Sequence, residues 1–152
     1  MNILGVSAAQ GALLFPFLHS KKYKILANIE PRGVFHTSCE SQWKLNFGDI
    51  PFYRGFCLQE FDEKVDIVVA SPDCGIASIM RLSKVKELGK PKDNRSLSLV
   101  IEGINYYKPK IFLIENLPRL LSLLPNEYLQ EALKDYKLIF HERSVSDYGN
   151  SQ

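Results

Sequence analysis

The chain has 152 residues, 45% hydrophobic and 24% charged, an ordinary globular composition at the size of one domain that excludes intrinsic disorder and fibrous architectures. A chain of this length buries roughly 68 to 70% of the surface its unfolded form exposes, so it needs no disulfide or metal to be stable. With 19 basic against 17 acidic residues the formal charge is +2, too even for a nucleic-acid coat or a membrane-surface protein, and any such partner must be held locally. Cys39, Cys57 and Cys74 form no CxxC pair, and His19, His36 and His141 are scattered, so neither a metal site nor a disulfide framework is expected. The apolar run from Ala12 to Leu18 is too short for a bilayer, and Met1 to Leu18 carries no charged side chain to open a secretory signal. The expectation is a soluble, intracellular, cytoplasmic protein with no membrane partner.

In chain order, Asn2 to Ser7 predicts a short strand, followed by a tight turn at small residues and Gly11 and a helix from Leu13, Leu14 and Phe17. Lys24 to Ile29 predicts a second strand, closing on Glu30 and Pro31. Val34 to Trp43 reads as helical with weak periodicity. Val65 to Ala70 (VDIVVA) suits a strand buried on both faces, broken sharply at Ser71 and Pro72. Leu97, Val100, Ile101, Ile104 and Tyr107 recur at three and four, predicting a helix with Asp93 or Asn94 as N-cap and Pro109 past its end. Ile111 to Ile114 (IFLI) is the next buried strand, a helix covers Glu127 to Lys134 from Asn126, and Lys137 to Phe140 begins another strand.

Strands alternating with helices predict an α/β fold with a mostly parallel sheet and helices on both faces. Ligands in such sheets gather at the carboxyl ends of the strands. Four groups fall there: Ser7 to Gly11, Glu30, Ser71 to Cys74, and Glu115 with Asn116. Singly they are weak signals, since a cysteine after a buried strand is more often a small core residue and a strand-end carboxylate more often caps a helix or faces water.

In this order they resemble the cytosine-5 DNA methyltransferase family. The segments are Ala70-Ser71-Pro72-Asp73-Cys74-Gly75, then Lys108-Pro109-Lys110-Ile111-Phe112-Leu113-Ile114-Glu115-Asn116-Leu117, then Ser146-Asp147-Tyr148-Gly149-Asn150-Ser151-Gln152. They match the family's Pro-Cys motif after the fourth strand, its KPK-aliphatic-EN motif ending the fifth, and its later DYG-x-x-Q motif. The resemblance implies a Rossmann-like S-adenosylmethionine-dependent methyltransferase fold, methyl transfer to carbon 5 of cytosine, and DNA as partner, with RNA as an alternative substrate. It also has departures. The glycine-rich first motif is here Ser7-Ala8-Ala9-Gln10-Gly11 with one glycine, Asp73 precedes the cysteine, and Gly75 follows it where glutamine is usual.

By that resemblance Cys74 is the thiolate that adds to carbon 6 of the base, because carbon 5 alone is too weak a nucleophile toward the methyl donor. A free thiol needs nearby positive charge or a helix N-terminus for this, and Asp73 opposes it unless it points away. Glu115 would hold ring nitrogen 3 and must then carry a proton, which burial beside an apolar strand favours; Asn116 braces the loop rather than touching the base. Glu30 would grip the ribose hydroxyls of the cofactor, and the backbone from Ser7 through Ala8 and Gln10 to Gly11 would receive its methionine part, with Pro72 beside it. Asp49, in Gly48-Asp49-Ile50, is a candidate adenine contact, although Asn46-Phe47-Gly48 also resembles a stretch lying just upstream of that motif.

Arg81, Lys84, Lys86, Lys90, Lys92 and Arg95 stand against only Glu87 and Asp93 between residues 81 and 95, six minus two for +4. This cluster corresponds to the family's DNA-closing loop, and phosphate contact suits it; a solvated surface loop is the plainer alternative. Gln152 is the other expected nucleic-acid contact. The chain ends there, so the resemblance implies one catalytic domain over residues 1–152 that lacks the recognition domain and final motifs. Such a domain would be an incomplete enzyme, or part of a split enzyme completed by a second chain, or else a non-catalytic module binding cofactor, nucleic acid or protein.

Overall fold

The computed structural model describes residues 1–34, 37–74, 95–124, 127–144 and 147. Strands β1 (Asn2–Val6), β2 (Lys24–Glu30), β3 (Phe52–Arg54), β4 (Ile67–Ala70) and β5 (Ile111–Ile114) form one sheet in the order β3-β2-β1-β4-β5. Every pairing is parallel. The chain steps outward from β1 through β2 to β3, then returns to the other side of β1 for β4 and β5. This reversal leaves a crevice at the carboxyl ends of β1 and β4, the place where open parallel sheets bind ligands.

Side-chain alternation assigns the helices α1 (Phe15–Leu18), α2 (Thr37–Phe47), α3 (Arg95–Tyr107), α4 (Arg119–Leu123) and α5 (Tyr128–Ala132) to the two faces. Val68 and Ala70 of β4 join Leu4, Val6 and the α3 residues Leu97, Val100 and Ile104 in one core, which also takes in Leu120, Leu124 and Leu133. Ile67 and Val69 point the other way, to Ile3, Leu14, Trp43 and Phe47. A strand covered on both faces has no solvent side to keep polar, hence the unbroken apolar run. The α3 positions singled out by spacing are buried apart from Tyr107, and each fully buried aliphatic side chain contributes about 1.5 to 3 kcal/mol. The helix stops at Lys108, whose φ is 47° and whose N–H reaches the Ile104 carbonyl at 3.0 Å; Pro109 cannot continue it.

Helix α2 starts later than the sequence suggests and runs on to Phe47. Only Cys39, Trp43 and Phe47, four residues apart, are buried in it, so the apolar stripe is one side chain wide and the periodicity is faint. Trp43 stacks on Phe47 with ring centroids 4.0 Å apart and donates from Nε1 to the Ile50 carbonyl at 2.7 Å. The helix expected after β1 is a 3-10 turn at Ala12–Leu14 leading into the single turn of α1, and that expected over Glu127 to Lys134 is the shorter α5. Strand β3, held between Pro51 and Gly55, is too short to show alternation, and neither it nor α4 is marked in the sequence.

Two expectations need correction. Lys137 to Phe140 forms no strand: it has no ladder partner among the described residues, and Ile139 and Phe140 are exposed. Strand β5 is not buried on both faces. It lies at the sheet edge, with Phe112 and Ile114 against the α3-side core while Ile111 and Leu113, beside Ile67 and Val69 in register, are exposed, because no described helix covers that corner.

At the opposite end of the strands, Asp66 ties the sheet together. Its carboxylate accepts the Asn2 N–H and the Lys110 ammonium, each at 2.9 Å, and these two partners, the Asn2 bond first, hold its carboxyl below the usual range. Among the described residues, no helix is long and apolar enough to cross a membrane.

Candidate active site

The turn after β1 is built on left-handed backbone: φ is 55° at Ser7, 51° at Ala9 and 89° at Gly11. Gly11 is there for space as well as conformation, since a Cβ would stand 2.5 Å from the Phe47 ring and 2.7 Å from the Trp43 ring. Gly5, within β1, leaves room for the Asn28 side chain, whose Oδ1 lies 2.7 Å from where a Cβ would be. Asn28, a buried polar residue in an apolar strand, uses that room to accept from the Ala8 N–H at 3.4 Å and to donate to the Ala9 carbonyl at 2.9 Å. The Ala9 N–H goes to Glu30 Oε2 at 2.5 Å and that of Ser7 to the Ile29 carbonyl at 2.7 Å. The turn is thus moulded on the end of β2. Ser7 and Ala8 are buried, and Gln10 is exposed.

Across the crevice, the loops after β4 and β5 are joined by side chains. Ser71 donates from Oγ to Glu115 Oε2 at 2.8 Å, and Asn116 donates from Nδ2 to the Pro72 carbonyl at 2.8 Å while its Oδ1 accepts the Leu117 N–H at 2.9 Å. These bonds bring Cys74 and Glu115, 41 positions apart in sequence, onto one pair of tied loops. The Cys74 thiol is exposed. Glu115 is also exposed, where the sequence suggests a buried carboxyl: β5 is an edge strand, and the chain turns outward after Ile114.

Ser96, in the first turn of α3, fastens both sides. Its Oγ is hydrogen-bonded to Ser7 Oγ and accepts the Asp73 N–H at 3.0 Å, while the Ser71 N–H reaches the Ser7 carbonyl at 3.0 Å. Arg32 completes the arrangement. Its Nε meets Glu30 Oε1 at 2.9 Å, and its Nη2 reaches the Ser71 carbonyl at 2.9 Å and that of Ser7 at 3.3 Å. Ser96, Arg32 and Asn28 carry no motif. Only Asn28 leaves a trace in the sequence, as a lone amide inside an otherwise apolar run.

The structure brings together Ser7, Ala8, Gly11, Glu30, Pro72, Cys74, Glu115 and Asn116 at the carboxyl edge of the sheet. It does not bring Asp49 there. Asp49 lies ahead of β3 on a shallow groove with Lys24, Ile25 and Leu26, at the amino end of that strand, whereas Glu30 pairs with Arg54 at the carboxyl end. The residues that follow β3 at the site's own edge are Gly55, Phe56 and Cys57. Arg95 opens α3 and is exposed, its guanidinium carbon 5.8 Å from the Phe56 ring centroid. Arg81, Lys84, Lys86, Lys90, Lys92 and Gln152 lie outside the described residues, as do Asp93, Asn94 and Asn126. Among the described residues no group of three or more His, Cys, Asp or Glu is placed to hold a metal ion.

A family model for C-5 cytosine-specific DNA methylases matches residues 11–152. The chain belongs to the C-5 cytosine-specific DNA methylases. The match takes in the Pro-Cys loop, the Glu115-Asn116 loop and the basic stretch between 81 and 95, and it begins at Gly11, the last residue of the turn after β1. No curated protein matches the sequence. Among solved structures, the chain is similar to the glycopeptide N-methyltransferase MtfA complexed with sinefungin, at 20% identity and a TM-score of 0.43 over 74% of this chain. It spans 42% of that structure's length.

The cofactor of these methylases is S-adenosylmethionine, and the site can be tested for it. A buried carboxylate at the carboxyl end of β2, beside the reversal point of the sheet, is the group and the place that a ribose requires. The residues present fit such a group, and Glu30, fully buried, is bonded here to Arg32.

Proposed function

We propose that this C-5 cytosine-specific methylase domain transfers a methyl group to carbon 5 of cytosine in DNA through a covalent adduct at Cys74, as the catalytic part of the enzyme. The observation that carries the reading is the pair of bonds from Ser71 to Glu115 and from Asn116 to Pro72, which set an exposed thiol and an exposed carboxyl on two loops tied at one crevice.

Glu30 and the backbone of the Ser7 to Gly11 turn would hold S-adenosylmethionine, which supplies an electrophilic methyl group when bound. The target base must leave the duplex to reach the crevice. Cys74 Sγ then bonds to carbon 6 of the ring, and Glu115, in its protonated form, donates to ring nitrogen 3 and takes up the charge pushed onto the ring. Carbon 5 becomes the nucleophile. After methylation the proton on carbon 5 passes to solvent water, the bond from Sγ to carbon 6 breaks to restore the thiolate, and ring nitrogen 3 returns its proton to Glu115. Asn116 touches none of the reacting atoms in this scheme; it keeps the two loops at a fixed separation.

The test is mechanism-based trapping. With the recognition portion present, a DNA duplex carrying 5-fluorocytosine is expected to be captured covalently, since fluorine at carbon 5 cannot leave as a proton. Cys74→Ser should end capture, and Glu115→Gln should slow it by roughly 100-fold or more, the scale for losing a positioned acid. Capture that persists in Cys74→Ser would overturn the assignment. Capture of a fluorinated RNA in place of DNA would move the substrate.

A further inference from the structure

The Glu30 carboxylate stands where the reading above puts a ribose, yet its acceptor capacity is already filled. An ionised carboxylate offers about four lone-pair sites. Oε1 accepts the backbone N–H and the Nε of Arg32, each at 2.9 Å. Oε2 accepts the Ala9 N–H at 2.5 Å and faces Arg32 Nη2 at 3.5 Å. Two of these donors are backbone groups fixed by the fold. The other two belong to one edge of one guanidinium, with one donor on each oxygen.

A vicinal diol makes the same demand, two donors in a fork against the two oxygens of one carboxylate. Arg32 carries on from there: Nη2 reaches the Ser71 carbonyl at 2.9 Å and the Ser7 carbonyl at 3.3 Å, so one side chain spans the carboxyl ends of β1, β2 and β4. Arginine suits the role, being permanently charged and planar. The side chain is 28% exposed while that of Glu30 is fully buried, so the arginine has a path out to solvent and the carboxylate has none.

We propose that Arg32 is a resident occupant of the ribose-diol subsite, and that a nucleoside ligand binds by exchanging its two hydroxyls for the Nε and Nη2 edge of this side chain. The proposal rests on the reading of Glu30 as the ribose carboxylate. Affinity for the ligand is then multiplied by the fraction of molecules in which Arg32 has swung away. A latch closed about nine-tenths of the time weakens binding about tenfold, and releasing it also removes the Arg32 bonds to the Ser7 and Ser71 carbonyls.

Isothermal titration with S-adenosylhomocysteine reads this directly on the purified chain, without activity. Arg32→Ala is expected to tighten binding about tenfold, and Arg32→Lys to fall between, because an ammonium cannot present the fork. Glu30→Ala should weaken binding in either background. The 2′-deoxy analogue of the same ligand should gain far less from Arg32→Ala, a discrimination that a merely structural arginine would not produce. Should alanine lower the melting temperature, Arg32→Met keeps the stem and carries the same expectation. Wild-type binding that Arg32→Ala and Arg32→Met leave unchanged or weaken, with Glu30→Ala still harmful, would overturn the latch and spare the ribose reading. Binding indifferent to Glu30→Ala, or absent from every variant, would overturn both.

Discussion

Burial pushes the Cys39 thiol above its ordinary value, the Glu30 charge adds to the rise, and Arg32 offsets part of it. A raised thiol pKa means less thiolate at any given pH, and thiolate is the reactive form. Cys57 and Cys74 are both exposed, so exposure alone does not separate them, although only Cys74 lies in a motif. At pH 8, iodoacetamide followed by peptide mass mapping is expected to label Cys57 and Cys74 first and Cys39 only as the protein unfolds; early labelling of Cys39 would show that α2 does not shield it. Because the folded value is the higher one, the stability that the Cys39 proton confers is full below the unfolded value and is lost as pH rises through the folded one. Single residues were unevenly legible in the sequence. Cys74, Glu115 and Asn116 stand in local motifs and could be found by reading along the chain. Ser96 meets Ser7 across 89 positions, and Arg32 meets Ser71 across 39, and nothing within a few residues of either marks the contact. Glu115 shows the converse failure: its motif was plain, but its exposure depends on β5 lying at the edge.

At the scale of elements, the junction between the turn after β1 and α2 carries the strongest steric constraint in the described site. Gly11 has a φ of 89° and lies under the stacked Trp43 and Phe47 rings, which are among the buried residues of the α1 and α2 side. Gly11→Ala would place a side chain in left-handed backbone, at about 1 to 2 kcal/mol, and would also force the two rings apart, at about 1 to 3 kcal/mol for overpacking. Urea unfolding is expected to show a loss of about 2 to 5 kcal/mol with an unchanged m-value; a loss below about 0.5 kcal/mol would mean that the turn relaxes away from α2. Helix α3 was readable from its period, and strands β1, β2, β4 and β5 from their short apolar runs. Strand β3 and helix α4 were not, since a few residues complete no period. Lys137 to Phe140 has a strand's composition without a strand's partner among the described residues, and a ladder cannot be inferred from one side of it.

Across the whole molecule, charge is distributed against the average. The described crevice pairs Glu30 with Arg32, whereas residues 81 to 95 hold +4 in a chain of +2. In sequence that stretch lies between β4, which delivers Cys74, and α3, which delivers Ser96. Lysines that meet phosphates act as point charges without regard to sequence, and each neutralised phosphate contributes about 0.9 to the slope of log affinity against log salt on duplex DNA. Replacing Lys84, Lys86, Lys90 and Lys92 together by Gln is expected to abolish DNA retention at low salt, or, where binding is still measurable, to flatten that slope by about 3 to 4. The replacements leave the described core untouched, so the urea midpoint should stay where it is and serve as the control for folding. Retention that survives with its slope intact would place the nucleic-acid face elsewhere, with Arg95 over Phe56 the next residue to substitute, and would leave the basic stretch as solvated surface.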